Sequence, residues 1–313
     1  MTTTTKTRKP GTTKKRPPRT TPEERREQAT ALHESITEQV EALRDSDQWR
    51  RFLAFASSFH RYSLGNLLLI LAQRPDASAV AGFKAWQAKG RQVRKGEKAI
   101  KIFGFAQRKI AADEAPEEGT TTSTDEKGQK TQTYYPLVSV FAIEQTDLAE
   151  GAEDPRDIAQ KLTGDQDHGA IEALTAALEG EGWTLERRTL PEGTHGYADP
   201  AECIVVVCDT LAPEQAAKTL IHETAHVLMG HVDDLEEYAQ HRGVMEVEAE
   251  SVAFVTAGLA GFDTSAYSVG YVASWSNCDA DVIRGTAARV LTTAHHIAAI
   301  LDADDDESED GEG

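Results

Sequence analysis

Ile221-His222-Glu223-Thr224-Ala225-His226-Val227-Leu228-Met229-Gly230 is the stretch on which the reading of this chain turns. On a helix, positions i and i+4 stand one turn apart on the same face, so His222 and His226 can offer two imidazoles to one metal ion. Glu223, beside them, reaches a water on that metal as general base. The flanking Leu220, Ile221, Val227 and Leu228 are apolar, as a helix packed on a core requires. A peptidase zinc takes a third protein ligand and leaves one position open for water. No further His follows at the spacing that would supply it, because Gly230 and His231 are adjacent. The third ligand is therefore expected on the next helix, in Met245-Glu246-Val247-Glu248-Ala249-Glu250-Ser251-Val252-Ala253, where Glu246 and Glu250 share a face. Glu246 ranks first as ligand and Glu250 second, the other orienting a histidine, while Glu248 points elsewhere. His231, His241, His295 and His296 read as surface or satisfied core histidines.

Working outward, the segment before the motif, Cys203 to Cys208, is extended and apolar and reads as the edge strand along which a peptide substrate lies. A helix near His168 to Glu179 and a strand at Trp183 to Arg187 precede it. Three helices follow, from about Ala212, Val244 and Asp281. Residues 150–303 are thus expected to form a zincin-like metallopeptidase domain using Zn2+. In front of it, Thr21-Pro22-Glu23-Glu24 starts a helix that runs to about Arg44. Helical spacing recurs in Trp49, Phe52, Leu53, Phe55 and Phe59, and again in Leu64, Leu67, Leu68 and Leu71. A strand at Ala99 to Phe105 is matched by one at Leu137 to Ile143. The Thr/Glu/Gly-rich insert between them, 111–133, reads as a mobile loop. The fold class is α+β, with a helical N-terminal domain carrying a small β-hairpin or sheet over 21–149.

The net charge of −19 conceals a division: residues 1–110 carry +13 and residues 111–313 carry −32. A basic front half points to a polyanionic partner. Residues 1–20 are a basic tail and 304–313 an acidic one, both too poor in apolar side chains to fold and expected to be disordered. The longest apolar run, Leu67 to Ala72, is too short to cross a bilayer, and the first twenty residues lack the apolar segment of a secretory signal. No membrane association and a cytoplasmic location are expected. Three cysteines make no disulfide framework.

Between Lys84 and Lys109, nine Lys/Arg accompany a single acid, with Phe83, Trp86, Phe103 and Phe105 interleaved. Cations along a phosphate backbone and aromatic faces against bases are the ingredients of single-strand binding. The linked segments Tyr62-Ser63-Leu64-Gly65-Asn66-Leu67, Gln73-Arg74-Pro75-Asp76-Ala77, Val80-Ala81-Gly82-Phe83-Lys84-Ala85-Trp86, Gly90-Arg91-Gln92-Val93-Arg94-Lys95-Gly96-Glu97-Lys98 and Val140-Phe141 with Gln145-Thr146 resemble the N-terminal domain of ArdC-type antirestriction proteins. The resemblance covers roughly residues 25 to 300. It implies a single-stranded-DNA-binding domain followed by a zincin-like metallopeptidase domain, in a protein of plasmids, phages or other mobile elements that protects incoming DNA. Arg61, Tyr62, Asn66, Lys84, Trp86, Arg91, Arg94, Lys95 and Lys98 are the expected DNA contacts. Glu223 is the expected catalytic base, and the protein substrate is not identified. Two other readings remain open: a non-enzymatic DNA-binding antirestriction protein with a structural or vestigial zinc site, and an acidic DNA mimic.

Overall fold

The first helix starts where the sequence places it. The Thr21 hydroxyl accepts from the Glu24 backbone N–H at 3.1 Å, and the Glu24 carboxylate accepts from the Thr21 N–H at 2.6 Å. With Pro22 in the first turn, this capping box opens α1 (Pro22–Ala42). Asp45 caps α2 (Ser46–Ala56), which buries Trp49, Phe52, Leu53 and Phe55; α3 (Leu64–Gln73) buries Leu67 through Ile70. The computed structural model describes residues 21–59, 62–110, 121–124, 130–149, 167, 169–233, 235–262, 264 and 279–308. The expected basic tail, the linker at 150–156 and Arg61 lie outside them, as does the end of the acidic tail.

After β1 (Val80–Ala81), α4 (Phe83–Ala88) and β2 (Arg91–Val93) comes β3 (Ile100–Phe103), followed by β4 (Ala106–Lys109), β5 (Thr121–Thr124), β6 (Lys130–Tyr134), β7 (Leu137–Ala142) and β8 (Thr146–Leu148). β7 is central to β1 and β3, antiparallel to both, with Ile100 opposite Val140. β2 pairs with β8. The insert expected as a loop instead carries β5 and the first residues of β6, which join β4 in a three-stranded antiparallel sheet. Its threonines, β-branched and unable to build a core, still suit a pleated surface.

The second half runs α5 (Ala170–Gly180), β9 (Thr184–Arg188), β10 (Gly196–Asp199), β11 (Ile204–Cys208), α6 (Pro213–Leu228), α7 (Leu235–Leu259) and α8 (Ala280–Ser308). β11 lies between β9, parallel, and β10, antiparallel. The reading of Cys203 to Cys208 as an edge strand is therefore corrected: all five residues of β11 are buried, and the edges of this sheet are β10 and β9. Five consecutive buried positions mark a strand covered on both faces.

One apolar core runs through both halves, from Trp49, Phe52 and Leu67–Ile70 to Val205, Leu220, Val252, Val290 and Ala294. α2 packs on α7, and α1 and α3 on α8. The Trp49 Nε1–H donates to Ser251 Oγ at 3.3 Å, and His295 Nε2 lies 3.0 Å from the Phe59 carbonyl. Gly258 allows the closest approach, since a Cβ there would stand 2.5 Å from Ser57 Cβ. Trp86, Val93 and Ile143 form a separate small cluster. No described helix is long and apolar enough to cross a membrane.

Candidate metal centre

Pro213 sets the first turn of α6, and Ala216, Ala217, Leu220, Ile221, Thr224 and Ala225 seat it on the core. That seating turns His222, Glu223 and His226 toward a cleft of about 730 Å³, lined also by Gly193 to Ala198 and by Arg242, Glu246 and Glu250 of α7. α7 packs against α6, and its Ala249 and Ala253 are fully buried.

Three ligand atoms converge there: His222 Nε2, His226 Nε2 and Glu246 Oε2. They form a triangle with sides of 3.1, 3.6 and 3.8 Å, and the point equidistant from its corners lies about 2.0 Å from each, the length of a zinc–nitrogen or zinc–oxygen bond. Glu223, Glu246 and Glu250 surround two imidazoles, an excess of negative charge that favours a cation. The donor set thus fits a divalent metal, with the cleft side left open.

Glu250 Oε2 lies 3.2 Å from His222 Nδ1, the nitrogen turned away from the triangle. The N–H is not aligned with that carboxylate and remains an unsatisfied buried donor, so the contact is proximity that a small ring rotation would convert to a bond. In the metal-free protein, burial pushes the His222 imidazole down, but the carboxylates of Glu246 and Glu250 close beside it outweigh burial and raise the pKa to about 10. Burial also raises the Glu223 carboxyl, to about 7, with His222 opposing and Glu246 reinforcing the shift. His226 is lowered, chiefly by burial.

Two residues of this centre escaped sequence reasoning. His231 is buried, its Nδ1 3.1 Å from His226 Nδ1 and its Nε2 3.0 Å from Glu248 Oε2. Glu248 does point away from the triangle, but into the protein, 3% exposed. The available signal was Gly230, a helix terminator that sets the next residue beneath His226.

The expected DNA contacts divide. Lys84, Lys95 and Lys98 are exposed. Arg94 is engaged by Glu97, Asp147 and the Glu144 carbonyl. Trp86 and Arg91 are corrected as surface contacts. Trp86 is 3% exposed and its indole N–H donates to the Phe141 carbonyl at 2.8 Å; Arg91 is 4% exposed and its Nε–H donates to Thr146 Oγ1 at 2.8 Å. Asn66 spends its amide on the β3 backbone, donating to the Phe103 carbonyl and accepting from its N–H, and Tyr62 donates to the Val80 carbonyl. The aromatic rings that do reach the surface of this half include Phe83, Phe105 and Tyr135, the last two in edge contact at 6.2 Å.

Fold and site together define an α+β protein with a His-His-Glu cluster suited to a metal ion. The chain matches the N-terminal domain of anti-restriction factor ArdC over residues 26–141. It is 26% identical over 261 residues to an uncharacterized Bacillus anthracis protein, pXO2-81, a match covering 73% of this chain. The chain spans only 43% of that relative's length. Among solved structures it is similar to the antirestriction ArdC protein from the R388 plasmid in its metal-free form, with 21% identity and a TM-score of 0.44 over 78% of this chain and 86% of that one. The Mn(II)-bound form of the same protein gives 20% identity and 0.44, over 78% and 88%.

Proposed function

We propose that this chain is a DNA-associated zinc peptidase of antirestriction type, its front half binding single-stranded DNA and its back half hydrolysing a peptide bond. The observation that carries the peptidase reading is the donor triangle of His222, His226 and Glu246, with Glu223 beside it in an open cleft. A structural zinc site is closed by its protein ligands, whereas this one faces the cleft. Zinc, when bound, supplies a Lewis acid and an acidified water. Glu223 accepts the proton of that water and hands it to the leaving amine. Among the described residues no strand pairs with the outer edge of β10, so its free N–H and C=O groups can hold an extended peptide across the cleft. Single-stranded DNA is drawn by Lys84, Lys95 and Lys98, with Phe105 and Tyr135 as stacking faces in place of the buried Trp86.

The test is Glu223→Gln in the full chain, loaded with zinc and incubated with a peptide library read by mass spectrometry. The variant should keep its zinc and lose about 100-fold or more of the cleavage rate. Equal cleavage by both proteins refutes the mechanism. No cleavage by the zinc-loaded wild type, with DNA protection intact in Glu223→Gln, favours the non-enzymatic DNA-binding reading instead.

A further inference from the structure

α6 ends in a left-handed residue. Gly230 has φ +70°, its N–H donates to the Val227 carbonyl at 3.0 Å, and the next N–H, that of His231, donates to the His226 carbonyl at 3.0 Å. This pair of bonds is a Schellman closure, which brings the second residue past the helix back beneath the third from its end. Backbone geometry therefore delivers the His231 ring to the side of the His226 ring facing away from the cleft. From α7, Glu248 meets it, and from α8 the Arg289 guanidinium approaches Glu248 Oε1 at 3.7 Å while donating to the Met229 carbonyl at 3.1 Å.

Only one arrangement of protons lets His226 turn a lone pair on Nε2 toward the triangle. Its Nδ1 then carries the hydrogen and donates to His231 Nδ1, and His231 Nε2–H in turn donates to Glu248 Oε2. We propose that His231 and Glu248 are positioning residues that fix the tautomer and ring orientation of His226 for metal binding, with a neutral imidazole passing the influence of a buried carboxylate to the ligand. The proposal rests on the reading of His222, His226 and Glu246 as the metal ligands. Its physical basis is that a ligand histidine gains basicity and a fixed orientation when its second ring nitrogen donates to an acceptor backed by negative charge. A carboxylate 3% exposed would be costly without partners, and its partners are His231 and Arg289.

The experiment measures zinc affinity of the metal-stripped full chain by competition with a fluorescent chelator, for wild type, His231→Leu and His231→Gln. Thermal unfolding of each metal-stripped protein is recorded in parallel. Gln can accept from His226 through its carbonyl and donate to Glu248 through its amide; Leu can do neither. His231→Leu should weaken zinc by about 10- to 100-fold, and His231→Gln should recover most of that loss. The two variants need not differ in thermal stability, because the role concerns the ligand rather than the fold. Equal zinc affinity in His231→Leu and wild type overturns the positioning role alone, as do equal losses in both variants. A folded wild type that binds no zinc overturns the metal reading on which it rests.

Discussion

Replacing Glu246 by Ala should cost far more zinc affinity than replacing Glu250 by Ala, although both carboxylates touch the same histidine. Glu246 Oε2 closes the triangle at 3.6 and 3.8 Å from the two Nε2 atoms, so its removal deletes a ligand. Apparent binding free energies of zinc at full protein sites are on the order of 10–16 kcal/mol, so one donor of three carries roughly 3 kcal/mol or more. At about 1.4 kcal/mol per decade, that predicts a loss of at least about 100-fold. Glu250 reaches only the Nδ1 side of His222, at 3.2 Å, outside the donor triangle. Losses from such partners begin at about 10-fold, and the unaligned geometry here places Glu250→Ala at that lower end. Both positions lie within α7 and are partly exposed, so alanine should leave the helix intact. Chelator competition on the metal-stripped full chain at fixed pH reads both constants. A larger loss in Glu250→Ala than in Glu246→Ala would refute the assignment and make Glu250 the third ligand.

Gly258→Ala should destabilise the whole chain by about 1–3 kcal/mol, because its Cβ would sit 2.5 Å from Ser57 Cβ and force α2 off α7; Ser57→Gly in the same chain should restore much of the loss in denaturant unfolding, and additive effects would refute the clash. Reversing Lys84, Lys95 and Lys98 to Glu should weaken binding of a labelled oligo(dT) and flatten its salt dependence by about 0.7 for each phosphate no longer neutralised, whereas an unchanged slope would remove these cations from the interface. Phe105→Ala and Tyr135→Ala should each lower affinity by about 1–3 kcal/mol for the same oligonucleotide, with little effect on an abasic one; equal losses on both would argue against stacking. Trp86→Ala should act differently, through loss of a buried side chain and its bond to the Phe141 carbonyl, and lower thermal stability by about 3–5 kcal/mol; an unfolding midpoint like the wild type's would contradict its burial.

What the sequence made legible was local. Capping at Thr21, the helical spacing of the buried residues in α2 and α3, and the i, i+4 histidines of α6 are decided within a turn or two of chain. The placement of β11 was misread as an edge, although the unbroken apolar run Ile204-Val205-Val206-Val207-Cys208 shows no alternation between apolar and polar positions and fits a strand covered on both faces. Trp86 and Arg91 were not, because aromatic and cationic residues on a short element look the same whether they face water or a partner strand. Their partners, the Phe141 carbonyl and Thr146, each lie 55 residues away. His231 stands between these cases: the capping rule at Gly230 places it near His226, but nothing local assigns Glu248 to its far side. That pairing depends on how α7 lies against α6, and α7 is held from behind by α2, through Trp49 to Ser251 across 202 residues of sequence. Ser251 adjoins Glu250 and follows Glu246 by little more than one helical turn. The front half therefore buttresses the very helix that carries Glu246. Separating the two halves would expose the buried faces of α2 and α7 together, so the helix bearing Glu246 and Glu250 is packed by the front half as well as by its own.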